Sequence, residues 1–189
     1  MRQAQPRGLF TSSQVILALG ETVLQRVPLP EGVIVGVLGD GWWMSPDAEA
    51  NPETKKFAEA YKARFGEYPV FPSIKMANAI LYVKAAYESA MKKNGGKWPS
   101  RTELADAMKG SAVTTLTGKM HTRPDGDGIV DQIVGVTVKS PKQSFPVIGD
   151  MVRYNGDVLM PKEGQDPIAW ISTLKPEFAA SLPKPGSYK

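Results

Sequence analysis

The sequence predicts an α/β protein, with helices layered over mainly parallel sheets in three layers, and three observations carry that class. Helix and strand signals alternate through the first part of the chain, which favours interleaved layers over separate helical and sheet units. An unbroken apolar run, "VIVGVL" at 33–38, is rich in β-branched residues, as expected of a strand covered on both faces in a parallel sheet. The long helical signal at 73–94 is apolar on nearly every face, and such a helix must be largely buried.

The elements follow in order. In "TSSQVILALGETVLQRVP", Ser12 or Ser13 can cap a first helix, whose Ile16, Leu19, Val23 and Val27 recur at near-helical spacing until Pro28. After the strand at 33–38, Asn51 supplies an N-cap, Pro52 the first helical position and Glu53 an acid in the first turn. That helix carries Phe57 and Tyr61 on one face and stops near Gly66. Ser73 opens the long helix and Gly95–Gly96 close it, with only Lys84, Glu88 and Lys92 as a polar stripe on its central and final turns. Ser100 and Glu103 form a capping box for a further helix with Leu104, Ala107 and Met108 pointing inward. "DQIVGVTVK" and "FPVIGDMVRYNGD" read as strands, Asn155–Gly156 as a turn, and the stretch beyond Met160 as a tail laid over the surface. Prolines mark two joints, at 65–73 and at 140–146.

Composition bounds the chemistry. A chain of 189 residues can bury one substantial core or two small ones, and no apolar run has the length needed to span a bilayer. The net charge of +4 comes from scattered lysines and arginines with no basic stripe between aromatics, so nucleic acid is not an expected partner. Cysteine is absent, which excludes disulfides, thiolate chemistry and cysteine-ligated zinc. "MRQAQPRGLF" holds no apolar signal-peptide core.

The motifs point away from catalysis. Gly36, Gly39 and Gly41 read G-x-x-G-x-G, the reverse of the dinucleotide order, and "WWMSPDAEANP" separates them from the next helix, whereas a phosphate site needs a helix to begin at once. Asp125, Asp127 and Asp131 lead into a strand rather than forming a helix-flanked calcium loop. His121 is the only histidine and no G-x-S-x-G elbow exists, so neither a serine hydrolase nor a multi-histidine metal site is expected. No cofactor and no metal are expected. The adjacent Trp42 and Trp43 follow the strand at 33–38, where ligands bind in open α/β sheets. Alternation places one ring inward and its neighbour outward.

Taken together, "NPETKKFAEAYKARFGEYPVFPSIKMANAILYVKAAYESAMKKNGG", "SRTELADAMKG" and "GKMHTRPDGDGIVDQIVGVTVK" resemble the C-terminal part of periplasmic solute-binding proteins of the branched-chain amino acid (Leu/Ile/Val-binding) type. The likeness covers roughly positions 3–155 and is sharpest at Phe57, Ala60, Tyr61, Phe65 and Gly66. It implies a partial two-lobe type I periplasmic-binding-protein fold, incomplete in this chain. Residues 1–68 would belong to the second lobe and 69–139 to the first, with 140–160 as an interlobe crossing and strand and 161–189 as the C-terminal tail.

The same resemblance implies a function. A small polar solute (an amino acid, an amide or an aromatic acid) would sit in an interlobe cleft, and an ABC permease in the membrane would receive it from the periplasm. The implied ligand contacts are Phe10, Thr11, Ser12 and Ser13 before the first helix, Asp40, Gly41, Trp42 and Trp43 after the strand, and Phe71 at the hinge. With the founding strands of the first lobe lacking, the chain is expected to self-associate or to dock to the missing lobe. The alternatives are a small-molecule α/β enzyme, with Asp40 or a nearby carboxylate as base, and a ligand-sensing domain of a receptor or regulator.

Overall fold

The computed structural model describes residues 16–188. In chain order these form β1 (Ile16–Leu17), a 3₁₀ turn (Gly20–Val23), β2 (Ile34–Gly36), α1 (Pro46–Ala50), α2 (Pro52–Phe65), α3 (Phe71–Lys93) and α4 (Arg101–Met108). The second half adds β3 (Ala112–Thr115), β4 (Gly118–Thr122), β5 (Gly128–Ile129), β6 (Gln132–Val138), β7 (Val147–Tyr154), α5 (Gly156–Leu159), α6 (Pro167–Thr173) and α7 (Pro176–Ser181). Two sheets organise them, one ordered β1-β2-β6-β7 and a smaller one ordered β3-β4-β5.

The α/β class holds, but the larger sheet is mixed rather than mainly parallel. Only β1–β2 runs parallel, while β2–β6 and β6–β7 run antiparallel. The cause lies in the loop at 139–146, which is short enough to return the chain only to an antiparallel neighbour. The expected crossing at 140–146 is therefore a connection within one sheet, and the strand at 132–138 pairs with β2 rather than keeping company with the long helix. The chain passes from the small sheet to the large one over Val130–Asp131.

Among the described residues the first expected helix is also replaced. Ile16 and Leu17 pair with Ile34 and Val35, and a 3₁₀ turn follows. A Cβ on Gly20 would lie 2.9 Å from Leu17 Cβ and 3.0 Å from Val35 Cγ1, so the chain turns tightly over β2 where a helix would need more room. Tertiary pairing overrides the helical spacing.

β2 is covered on one face only. Val33, Val35 and Val37 are buried with Leu24, Trp42, Ile133, Val147 and Ile148 in the main core. The other face carries Ile34 and Leu38, the latter 52% exposed, and opens into an apolar trough of about 640 Å³ with Ile16, Leu19 and Val134.

Local capping fixes the helices as expected, with additions. Asn51 accepts from Glu53 N and caps α2, which ends at Gly66 in the left-handed region (φ 79°). The structure adds α1, capped by Ser45 with proline in its first turn. α3 starts two residues before Ser73, with Val70 at its N-cap and Pro72 in the first turn. The capping box of Ser100 and Glu103 is present, and Leu104, Ala107 and Met108 pack on Ala86 and Ala90 of α3. Asn155, expected in a turn, instead caps α5.

The β3–β4 hairpin, absent from the sequence reading, is gripped by polar side chains. Its turn presents Leu116 and Thr117, both buried. Asn78 Nδ2 donates to Thr117 Oγ1 at 3.0 Å, and Leu116 N donates to Asn78 Oδ1 at 3.1 Å. Asn51 Nδ2 donates to Thr115 O at 3.2 Å, and Thr54 Oγ1 donates to Leu116 O. Replacing Asn78 with alanine removes two bonds and strands a buried N–H, and is expected to cost about 2–3 kcal/mol in urea unfolding. A loss below about 0.5 kcal/mol would show that the hairpin is not held this way.

The tail is pinned at its end. Arg153 Nε donates to Asp131 Oδ2 at 2.6 Å and Nη1 donates to Tyr188 Oη at 3.0 Å, with Asp47 as a further ion-pair partner. Between these anchors α6 and α7 bury no residue, and Ile168 and Ile171 are 77% and 60% exposed.

Candidate functional site

Three of the nine expected contacts, Asp40, Gly41 and Phe71, lie where the segment after β2 meets the start of α3. Phe10, Thr11, Ser12 and Ser13 lie outside the described residues. Asp40, Gly41 and Phe71 come together, because a Cβ on Gly41 would lie 3.1 Å from Phe71 Cβ and 3.2 Å from Phe71 Cα. Only glycine allows that approach without displacing α3. Gly39 takes φ +80°, and a side chain there would collide with the end of Lys75. Its N–H donates to Gln132 Oε1 at 2.8 Å and its carbonyl accepts from Ile133 N at 3.0 Å, so β6 holds the turn.

Two carboxylates are sealed in this junction. Asp40 is 1% exposed, with no hydrogen-bond partner for either oxygen. Lys75 Nζ stands 3.5 Å from Oδ1, an ion pair rather than a close hydrogen bond. Burial pushes the Asp40 carboxyl above the ordinary aspartate range, against the opposing pull of Lys75 and Arg153. Glu21, also 1% exposed, accepts from Phe71 N at 3.3 Å, while its Oε2 has no partner. Burial raises its pKa too, and the backbone donors at Phe71, Glu21 and Thr22 only partly offset this. Glu21 thus satisfies a free amide at the α3 N-terminus, where an anion also meets the positive end of the helix dipole.

The tryptophans divide, although from a turn rather than a strand, since Ser45 N donates to Trp42 O at 3.0 Å. Trp42 is 2% exposed, the largest fully buried side chain of the core, and offers no surface to a ligand. Trp43 is half-buried and stacks on Tyr68, with ring centroids 4.1 Å apart and planes 16° apart. These two rings line a pocket of about 370 Å³, together with Met44, Ala48, Lys55 and Gln143. Tyr68 Oη is held by Lys62 Nζ at 3.1 Å and donates to Glu59 Oε1 at 3.3 Å.

Sequence reasoning missed Glu21, Tyr68 and Lys75. Lys75 carried a legible signal only as a lone cation in the apolar opening half of α3. Glu21 stood inside an apolar periodic run, a place where a buried acid is hidden. Elsewhere, His121 Nε2 lies 3.1 Å from Asp157 Oδ1. The aspartate turn closes on itself through Arg123 to Asp127 at 2.8 Å and Asp127 N to Asp125 Oδ1 at 3.0 Å. Among the described residues no group of three or more histidine or acidic side chains is placed to hold a metal ion, and no helix is long and apolar enough to cross a membrane.

The fold is shared with known proteins. A solute-binding protein of an ABC transporter from Rhodopseudomonas palustris BisB5, solved with 3,4-dihydroxybenzoic acid, is 24% identical, with a TM-score of 0.56 over 82% of this chain and 41% of that one. The leucine-, isoleucine-, valine-, threonine- and alanine-binding protein from Brucella ovis is 21% identical, with a TM-score of 0.55 over 88% of this chain and 41% of that one. A leucine-binding protein from Thermotoga maritima MSB8 is 20% identical, with a TM-score of 0.53 over 82% of this chain and 41% of that one. The chain thus shares the α/β fold of these proteins and spans about two fifths of their length. No curated protein matches the sequence significantly. The family profile described as periplasmic binding protein matches residues 1–142, and the chain belongs to that family.

Proposed function

We propose that this chain forms part of the solute-binding component of an ABC importer, holding a small polar solute without transforming it. The observation that carries the reading is membership of the periplasmic binding protein family over residues 1–142. The solute enters a cleft between this chain's share of the fold and the remaining share, and the loaded clamp meets a membrane permease on the periplasmic side. Phe71 and Trp43 offer ring surface, Phe10 to Ser13 offer hydroxyls and backbone, and Asp40 and Gly41 shape the junction behind them, with Trp42 as support.

The rival enzyme reading asks Asp40 to act as a base. That carboxylate is 1% exposed and sits beside Lys75, and a general base must reach the proton it removes. The ligands of two similar proteins guide the test, an aromatic acid in one and small amino acids in the other. Thermal-shift screening of the longest polypeptide that carries these residues should include aromatic acids, branched-chain amino acids and amides. One class is expected to raise the Tm, by stabilisation of about 2.7 kcal/mol at a concentration a hundred times Kd. A flat response across all three classes would contradict the proposal.

A further inference from the structure

α3 buries Ile74, Asn78, Tyr82, Ala86 and Ala90 and leaves Met76, Ile80 and Val83 bare, so the helix expected to be buried nearly all round is covered on one side only. Lys75 is the one charged residue in its opening half, over 71–82. Its side chain is 28% exposed. The end of that side chain crosses Gly39, where an added Cβ would collide with Nζ and lie 2.7 Å from Cε and 3.3 Å from Val130 Cγ2. Val130 begins the passage from the small sheet to the large one, so the ammonium stands at the joint between them.

We infer that Lys75 is a specificity-determining residue of the solute site, its ammonium receiving a carboxylate of the solute. This rests on the solute-binding reading and narrows it from polar solutes in general to acids. Phe71 and Lys75 are four residues apart and so share one face of α3, which sets an aromatic ring and an ammonium on the same side of the helix at the Asp40–Gly41 turn. Asp40 holds the ammonium from behind. It is sealed in the junction, neither of its oxygens has a hydrogen-bond partner among the described residues, and Nζ stays 3.5 Å from Oδ1. An ammonium carries three N–H donors, and at that separation Asp40 orients the group without saturating it. A carboxylate arriving from the open side meets the cation at a shorter distance than the anion behind it, so attraction wins. A neutral amide gains no such ion pair, and hydrogen bonds between charged partners are about twice as strong as neutral ones.

Titration of matched acids and amides tests this in the same polypeptide as the thermal-shift screen, with benzoate against benzamide and leucine against leucinamide. The acid of the pair that binds is expected to bind about tenfold tighter than its amide, the worth of one hydrogen bond to a charged group. Lys75→Gln is expected to weaken the acid about tenfold and to leave the amide within about twofold, whereas Lys75→Arg keeps the preference for the acid. A merely structural role for Lys75 would weaken both solutes alike. The wild-type ratio and Lys75→Arg do not depend on the folding of Lys75→Gln. An amide that binds the wild type as tightly as its acid, or a ratio that Lys75→Gln leaves unchanged, would overturn the inference while the solute-binding reading stands. Failure of every acid and amide to bind would overturn both.

Discussion

Trp42→Ala is expected to cost about 3–5 kcal/mol of stability, the range for emptying a buried aromatic site. Trp42 is the largest fully buried side chain, and it shares the main core with Val35 of β2, Ile133 of β6 and Ile148 of β7. The strands around it are fixed by backbone pairing, so they cannot collapse into the cavity and recover the lost contacts. Urea unfolding followed by circular dichroism measures the loss without relying on the indole signal. Trp43→Ala is the informative contrast. It removes a half-buried ring stacked on Tyr68 at the edge of the core, and is expected to cost about 1 kcal/mol, the order of an aromatic pair. Equal losses at the two positions would mean that the pair does not divide between core and pocket.

Asp40→Asn is expected to stabilise the protein at pH 7. Burial raises the Asp40 carboxyl above its ordinary range despite Lys75 and Arg153. The folded state then holds its proton to higher pH than the unfolded chain. Stability therefore falls as pH rises from the unfolded value of about 3.9 through the raised folded value. Glu21, raised by burial as well, acts in the same direction. Asparagine keeps the shape and removes the charge that burial penalises, and Lys75, 28% exposed, turns to solvent, so a gain is expected at pH 7. The gain should vanish near pH 3, where the wild-type carboxyl is protonated in both states. Melting curves of the two proteins from pH 3 to pH 8 measure it, and a less stable Asp40→Asn at pH 7 would show that the Lys75 pair outweighs burial. Holding such a charge at a stability cost is the pattern found where function rather than folding sets the residue.

The features legible in the sequence were those with local causes. The Asn51–Pro52 start of α2, the Gly66 stop and the Ser100–Glu103 box depend on residues within one turn of each other. What escaped needed tertiary information. Ile16 and Leu17 have helical spacing to Leu19 and Val23 but pair with β2 because a strand edge is there to receive them. The β3–β4 hairpin is short and threonine-rich, without a clear apolar alternation, and its stability comes from Asn51, Thr54 and Asn78 on helices far away in sequence. The apolar character of α3 was plain, but an all-apolar helix does not reveal which of its faces lacks a partner.

The site shows the same split. Asp40, Gly41 and Phe71 were implied by the family resemblance, and the close approach of Gly41 to Phe71 explains why the three come together. Glu21 reaches the same place by closing on the α3 N-terminus from a turn that sequence spacing assigned to a helix.

The central claim is that this chain serves a clamp that grips a solute and leaves it chemically unchanged. Calorimetric titration of the solute that gives the largest thermal shift, followed by mass spectrometry of the recovered solute, tests this most directly. Saturable binding at one site per polypeptide is expected, with the solute returned intact. A solute converted to product without any partner protein, or the absence of saturable heat with every class of solute, would contradict it.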